Sequence, residues 1–306
     1  MKPAVKISLP ATSANMGPGF DAIALALDLF LEIEATAGAQ YSIRATGRNR
    51  NICASLSRNL LLQTYEAVLA AEQRPVVPLE IRMRNGIPVG MGCGSSAAVR
   101  LAGVALASAF GELHWDAAQI LEQAARLEGH PDNVAACWHG GLTIAANAEP
   151  LAVVSIPPPP HWRALLVLPE NPVATSKARG MLPKNYPRQD VVSSLQNVAL
   201  LTAAFAFGRA DLMQMATRDR IHQPFRMQLC PLLPALLPLA GSHGVISVTL
   251  SGAGPAVLLL TADPAHGETL EKTLREAILQ LAKPVCPVEI VATTLSHQGA
   301  AAGFAP

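Results

Sequence analysis

The segment Pro88-Val89-Gly90-Met91-Gly92-Cys93-Gly94-Ser95-Ser96-Ala97-Ala98 carries the strongest chemical signal in the 306-residue chain. Three alternating glycines let the backbone turn tightly and let a ligand approach its N–H groups. Two hydroxyls and a run of helix formers follow. A helix starting at Ser95 or Ser96 offers unpaired N–H groups and the positive end of its dipole. Together these features suit a phosphate group. The loop is not a Walker motif, since no Lys-Ser/Thr follows it. Nor is it a dinucleotide fingerprint, because Ser95 stands where the third glycine belongs. A nicotinamide-dependent oxidoreductase fails on that spacing. The plainer reading of the same residues is a strand–turn–helix with Ser as N-cap.

Three more segments gather residues of the same kind. They are Pro10-Ala-Thr12-Ser13-Ala-Asn15-Met-Gly17-Pro18-Gly19-Phe20-Asp21, then Glu128-Gly129-His130-Pro131-Asp132-Asn133-Val134, then Thr249-Leu-Ser251-Gly252-Ala-Gly254-Pro255-Ala256. With the phosphate loop, this ordered set resembles the GHMP kinases over nearly the whole chain. The first two segments are similar to the homoserine kinase branch in particular. One position departs from the family: Cys93 stands where Leu is usual, adding a thiol open to modification.

The resemblance implies ATP and Mg²⁺ as cofactors and L-homoserine as the phosphoryl acceptor. Phosphoryl transfer needs positioning and charge stabilisation more than covalent chemistry. Pro88, Gly90, Gly92, Gly94, Ser95 and Ser96 would form the ATP loop. Asn59 would contact the nucleotide or act as a plain N-cap. Mg²⁺ needs oxygen ligands; the resemblance places them on Ser96 and Glu122, with Glu128 a competing carboxylate. Asp132 falls in the first turn of a helix after Gly129 and Pro131, where it would face the substrate hydroxyl or serve only the dipole. An ordinary Asp has a pKa near 4, which favours positioning and late proton acceptance over prior deprotonation. Asn15 and Asp21 match the ammonium site, or are turn residues. Arg179 and Arg226 match a carboxylate fork, or form surface ion pairs. Thr175 shares a helical face with Arg179. His130 would help hold substrate or merely pack. The Ser251–Gly254 loop would close over the site from the second half, or be a hairpin turn.

These residues need elements to position them. Apolar periodicity predicts strands over Ala4–Ser8, Leu29–Ala35, Leu79–Asn85, Leu142–Ala146, Ala164–Leu168, Val245–Leu250, Pro255–Thr261 and Val288–Ala292. It predicts helices over Asn59–Gln73, Ser95–Phe110, Asp116–Leu127, Asp190–Phe207, Asp211–Thr217 and His266–Ala282. Four prolines, Pro157–Pro160, break the pattern and can continue neither a helix nor a central strand. They divide the chain into 1–160 and 161–306, or form a long surface loop. The mixture in both halves gives two α+β domains. The resemblance names them a ribosomal protein S5 domain 2-like fold and a ferredoxin-like fold.

Composition narrows the partners. The 23 basic and 22 acidic residues nearly cancel, which argues against nucleic acid or an anionic membrane. No apolar run reaches the about 20 residues of a membrane span. The N-terminus shows no signal-peptide pattern, and five scattered cysteines suit a reducing cytoplasm. A homodimer is implied by resemblance only. The rivals are a GHMP kinase for another small alcohol and a non-catalytic family member; the latter should have lost Asp132, Glu122 or the paired serines.

Overall fold

The computed structural model describes residues 4–262 and 268–304. Two β-sheets form its frame. The first is built from β1 (Val5–Asn15), β2 (Gly19–Ala37), β3 (Ser42–Gly47), β4 (Leu79–Asn85), β5 (Leu142–Ala146) and β6 (Ala152–Ile156). Its strand order is β3-β4-β2-β5-β6, with β1 also paired to β2. All its pairs are antiparallel except β3 with β4. The second sheet is built from β7 (Arg163–Pro169), β8 (Val245–Leu250), β9 (Val257–Thr261) and β10 (Val288–Thr294). It is antiparallel throughout, in the order β10-β7-β9-β8. Helices lie between β7 and β8, and the helix Glu268–Ala282 lies between β9 and β10. That is the β-α-β-β-α-β sequence of a ferredoxin-like unit. The chain is thus mixed α and β in both halves.

The Pro157–Pro160 run falls between β6 and β7, where one sheet ends and the next begins. The core does not stop there. A single apolar cluster joins Leu9, Leu25 and Leu101 to Trp162, Leu166, Phe205 and Leu258. A smaller cluster, including Leu233, Leu250 and Leu274, fills the second half alone. Arg48 also pairs with Glu289 across the two sheets.

Two strands run further than periodicity suggests. The stretch from Pro10 to Asn15 continues β1, and β2 begins at Gly19. Residues 10–15 of β1 and 23–27 of β2 are buried on both faces, so no polar alternation marks them. β3 and β6 were not foreseen. The helix foreseen from His266 is observed over Glu268–Ala282, while His266 and Gly267 lie outside the described residues.

The phosphate loop is strapped on two sides. Thr12 N–H donates to Cys93 O at 3.1 Å. Ser251 Oγ donates to Gly92 O at 2.8 Å, and Ala256 N–H donates to Met91 O at 3.2 Å. Gly92 and Gly94 have φ of 79° and 71°, a region that L side chains rarely adopt. A Cβ on Gly94 would lie 1.9 Å from Thr12 Oγ1. Close approach from β1 and from the 251–254 loop therefore demands glycine at both places.

Candidate active site

The helix Ser95–Phe110 has Gly94 as its N-cap, with no side-chain capping bond. Ser95 is the first helical residue, not the cap. No side chain caps the N–H groups at this end, an arrangement that suits a phosphate.

This helix end opens into a cavity of about 130 Å³. Its walls bring together Asn15, Asp21, Gly90, Gly92, Gly94, Ser95, Ser96, His130, Asp132, Thr175, Arg179 and Arg226. Gly252 and Ala253 of the β8–β9 loop complete it from the second half. A larger, mostly apolar slot of about 630 Å³ adjoins it and shares Gly90, Ser95 and Ser96. Leu31, Ile52, Met83 and Val99 line that slot.

Three expected site residues lie outside the smaller cavity. Pro88 is buried and lines neither cavity. Asn59 borders the apolar slot, but its amide is occupied: Oδ1 caps Leu61 and Leu62 N–H, and Nδ2 donates to Ser55 O at 2.8 Å. Glu122 is turned away altogether. Its carboxylate accepts from Leu151 N–H at 3.2 Å, in a separate cleft with Arg126 and Pro150. The carboxylate beside Ser96 is Glu128, which accepts from Ser96 Oγ at 3.0 Å and pairs with Arg100 Nε at 2.7 Å. Six residues separate Glu122 from Glu128 on one helix, which places them on different faces.

Asp132 opens the helix Asp132–His139 and is almost wholly buried. Its Oδ1 accepts from Asn133 N–H at 2.7 Å and meets His130 Nδ1 at 2.8 Å; its Oδ2 lies outside these contacts. The hydrogen bond to Asp132 raises the His130 pKa above the ordinary imidazole value. Asn133, absent from the expected set, lines the cavity and accepts from Thr12 Oγ1 at 2.6 Å.

Asp21 and Arg179 were expected to hold opposite ends of a substrate, yet here they hold each other. The pair is bidentate, at 2.9 and 2.7 Å. This bond to Asp21 keeps the Arg179 pKa above its usual value. Asp21 and Asn15 both have positive φ, 55° and 72°, a strain that clusters at functional positions. Asn15 spans the site: Oδ1 accepts from Asp21 N–H, and Nδ2 donates to Gly252 O at 2.9 Å.

Arg226 is 1% exposed. Its hydrogen-bond partners are His222 Nδ1 and the carbonyls of Gly252 and Ala178, none of them an anion. Burial lowers its pKa from the usual guanidinium value. The Phe20 ring contacts both cations, its centroid 5.6 Å from the Arg179 guanidinium and 5.3 Å from that of Arg226. Donor atoms of Asp21, His130 and Asp132 lie within 4.8 Å of one another, a set suited to a cation. Cys93 is buried, and burial pushes its thiol up to about 12. The modifiable thiol expected in the loop is therefore shielded and protonated.

A glycine-cradled helix N-terminus beside an apolar slot suits the phosphates and base of a nucleotide, the equipment of a phosphotransferase. The pattern "GHMP kinases N terminal domain" matches residues 59–141, and "GHMP kinases C terminal" matches 202–278. A homoserine kinase of Solibacter usitatus is 41% identical over 255 residues, covering 83% of this chain and 84% of the relative. One from Deinococcus radiodurans is 33% identical, covering 95% of this chain and 96% of its own. The crystal structure of homoserine kinase from Cytophaga hutchinsonii superposes with a TM-score of 0.78 at 26% identity, covering 98% and 97% of the two chains. The chain belongs to the GHMP kinase family.

Proposed function

We propose that the chain transfers the γ-phosphoryl group of ATP to the side-chain hydroxyl of L-homoserine, giving ADP and O-phospho-L-homoserine. The observation that carries this substrate is the buried guanidinium of Arg226, which has no anion among its hydrogen-bond partners in the described residues, in the same small cavity as the Asp21 carboxylate. A buried cation is stable only when paired or otherwise solvated. An α-amino acid supplies its carboxylate to Arg226 and Arg179 and its ammonium to Asp21 and Asn15. The homoserine kinases among its relatives and structural neighbours support the same reading.

The phosphates of ATP would rest on the N–H groups of Gly92, Gly94, Ser95 and Ser96, and its base in the apolar slot beside them. Ser96 and Glu128 offer the oxygen donors that Mg²⁺ prefers, and a bound Mg²⁺ neutralises phosphate charge. Asp132, with His130 behind its Oδ1, orients the substrate hydroxyl and takes its proton late in the transfer. The 1–160 and 161–306 halves would act as two domains meeting at this cavity. Such a product feeds threonine synthesis in the cytoplasm. Among the described residues no helix is long and apolar enough to cross a membrane.

The test compares L-homoserine with 4-hydroxybutyrate, which lacks the ammonium, and 3-aminopropan-1-ol, which lacks the carboxylate. A charge-assisted hydrogen bond contributes about 1.5–3 kcal/mol, so each truncation should lower kcat/KM about 10- to 150-fold. Equal turnover of all three would remove the amino-acid site.

A further inference from the structure

The second half holds a fully buried histidine that phosphoryl transfer does not use. His222 is 0% exposed and begins a short helix, Gln223–Arg226. Its two ring nitrogens face different partners. Nδ1 lies 3.1 Å from Arg226 Nη1, and Nε2 lies 2.8 Å from Gly17 O. A guanidinium can only donate, so Nδ1 must accept. A carbonyl can only accept, so Nε2 must carry the proton. The two contacts are therefore satisfied together by one neutral tautomer. Burial, which lowers the His222 pKa, favours that neutral form.

Everything packed on the ring keeps it in place. Asp219 lies 3.5 Å from Nε2 and accepts the backbone N–H groups of Ile221, His222 and Gln223. Phe20 stacks on the imidazole at 5.4 Å. Gly17 lies so close to Thr217 that a Cβ would come within 2.2 Å of its carbonyl oxygen, so the β1–β2 turn packs directly on this segment. A carboxylate at this position would also orient Arg226, but it would spend the positive charge. A neutral imidazole fixes the guanidinium and leaves its charge for a ligand.

We propose that His222 is a positioning residue for carboxylate recognition: Nδ1 aims the Arg226 guanidinium into the cavity while Nε2–H anchors the turn that carries Phe20 and Asp21. This rests on the assignment of Arg226 to the carboxylate of L-homoserine. Asn and Gln separate the two bonds. His222→Asn keeps an acceptor near Nδ1 and loses reach to Gly17. His222→Gln keeps reach to Gly17 and loses the acceptor for Arg226.

Steady-state kinetics on the full chain should give an L-homoserine KM raised about threefold for His222→Asn, which loses only the turn anchor, and at least about thirtyfold for His222→Gln, which loses the aim of Arg226, a roughly tenfold split worth one charge-assisted hydrogen bond. The ATP KM and kcat should stay close to the parent in both. A harmless Gln variant, or equal loss in both variants, would reduce His222 to an anchor of the turn and overturn the proposal. A parent enzyme without turnover of L-homoserine would overturn the substrate assignment and this inference with it. A further measurement needs no variant. In ¹⁵N NMR of the parent protein, one imidazole should show protonated Nε2 and bare Nδ1, with shifts that respond to L-homoserine and not to ATP. A protonated Nδ1, or shifts indifferent to L-homoserine, would overturn the proposal.

Discussion

Replacing Gly92 by alanine tests whether the phosphate loop is held by backbone contact with the second half. Gly92 has φ of 79°, and a Cβ there would lie 2.1 Å from Ser251 O and 2.9 Å from Gly254 O. The left-handed conformation alone costs about 1–2 kcal/mol for an L residue. Relaxed carbon–oxygen contacts are about 3.3 Å, so the loop and the β8–β9 turn must separate by about 1 Å. A misplacement of about 1 Å in a catalytic constellation costs on the order of 10²-fold. We therefore expect kcat/KM with Mg-ATP to fall about 100-fold, while the backbone strain lowers Tm by only about 2–3 °C. The assay is coupled ADP release with a thermal melt on the same sample. Gly303→Ala is the control, since a Cβ at Gly303 meets nothing within 4 Å. A Gly92→Ala enzyme within about twofold of the parent, a difference of about 0.4 kcal/mol, would refute the strapped-loop account.

Three further outcomes follow from the geometry. Glu128→Gln should raise the half-saturating Mg²⁺ concentration at least about tenfold, whereas Glu122→Gln, whose carboxylate accepts from Leu151 N–H away from Ser96, should leave it within about twofold; a Mg²⁺ titration reads both. Asp132→Asn should lower kcat by about 10²-fold or more with the ATP KM retained, and near-parental kcat would end any proton-accepting role. The raised His130 pKa makes its pairing with Asp132 pH-sensitive. A group raised on folding contributes stability fully below its unfolded pKa, about 6.5, and loses it as pH climbs through the folded value. The Tm gap between parent and His130→Gln should therefore be wider at about pH 5.5 than at about pH 9.

Much of the site was legible because local chemistry and long-range contact agree there. Gly90, Gly92 and Gly94 announce positive φ, and the structure uses all three that way. Asp132, Arg179 and Arg226 were placed by motif and meet in a single cavity. Glu122 and Glu128 could not be told apart by sequence, because spacing along a helix does not say which face turns toward Ser96. Ser96 and Arg100 held the missing signal: four residues apart, they share a face, and Glu128 binds both. His222 and Arg226 have the same four-residue relation, hidden because the helix bearing them is too short to show a period. The Asp21–Arg179 pairing was not readable at all, since it joins residues 158 positions apart. The same holds for the far end of β1, whose burial on both faces erases the alternation that marks a strand.

The most direct measurement is ADP release by the purified chain with Mg-ATP and L-homoserine, run beside L-threonine, L-serine, mevalonate and galactose. The account predicts turnover confined to, or strongly favouring, L-homoserine, with the phosphate recovered on its side-chain oxygen. A preference for mevalonate or galactose, which carry no ammonium for Asp21, would contradict it.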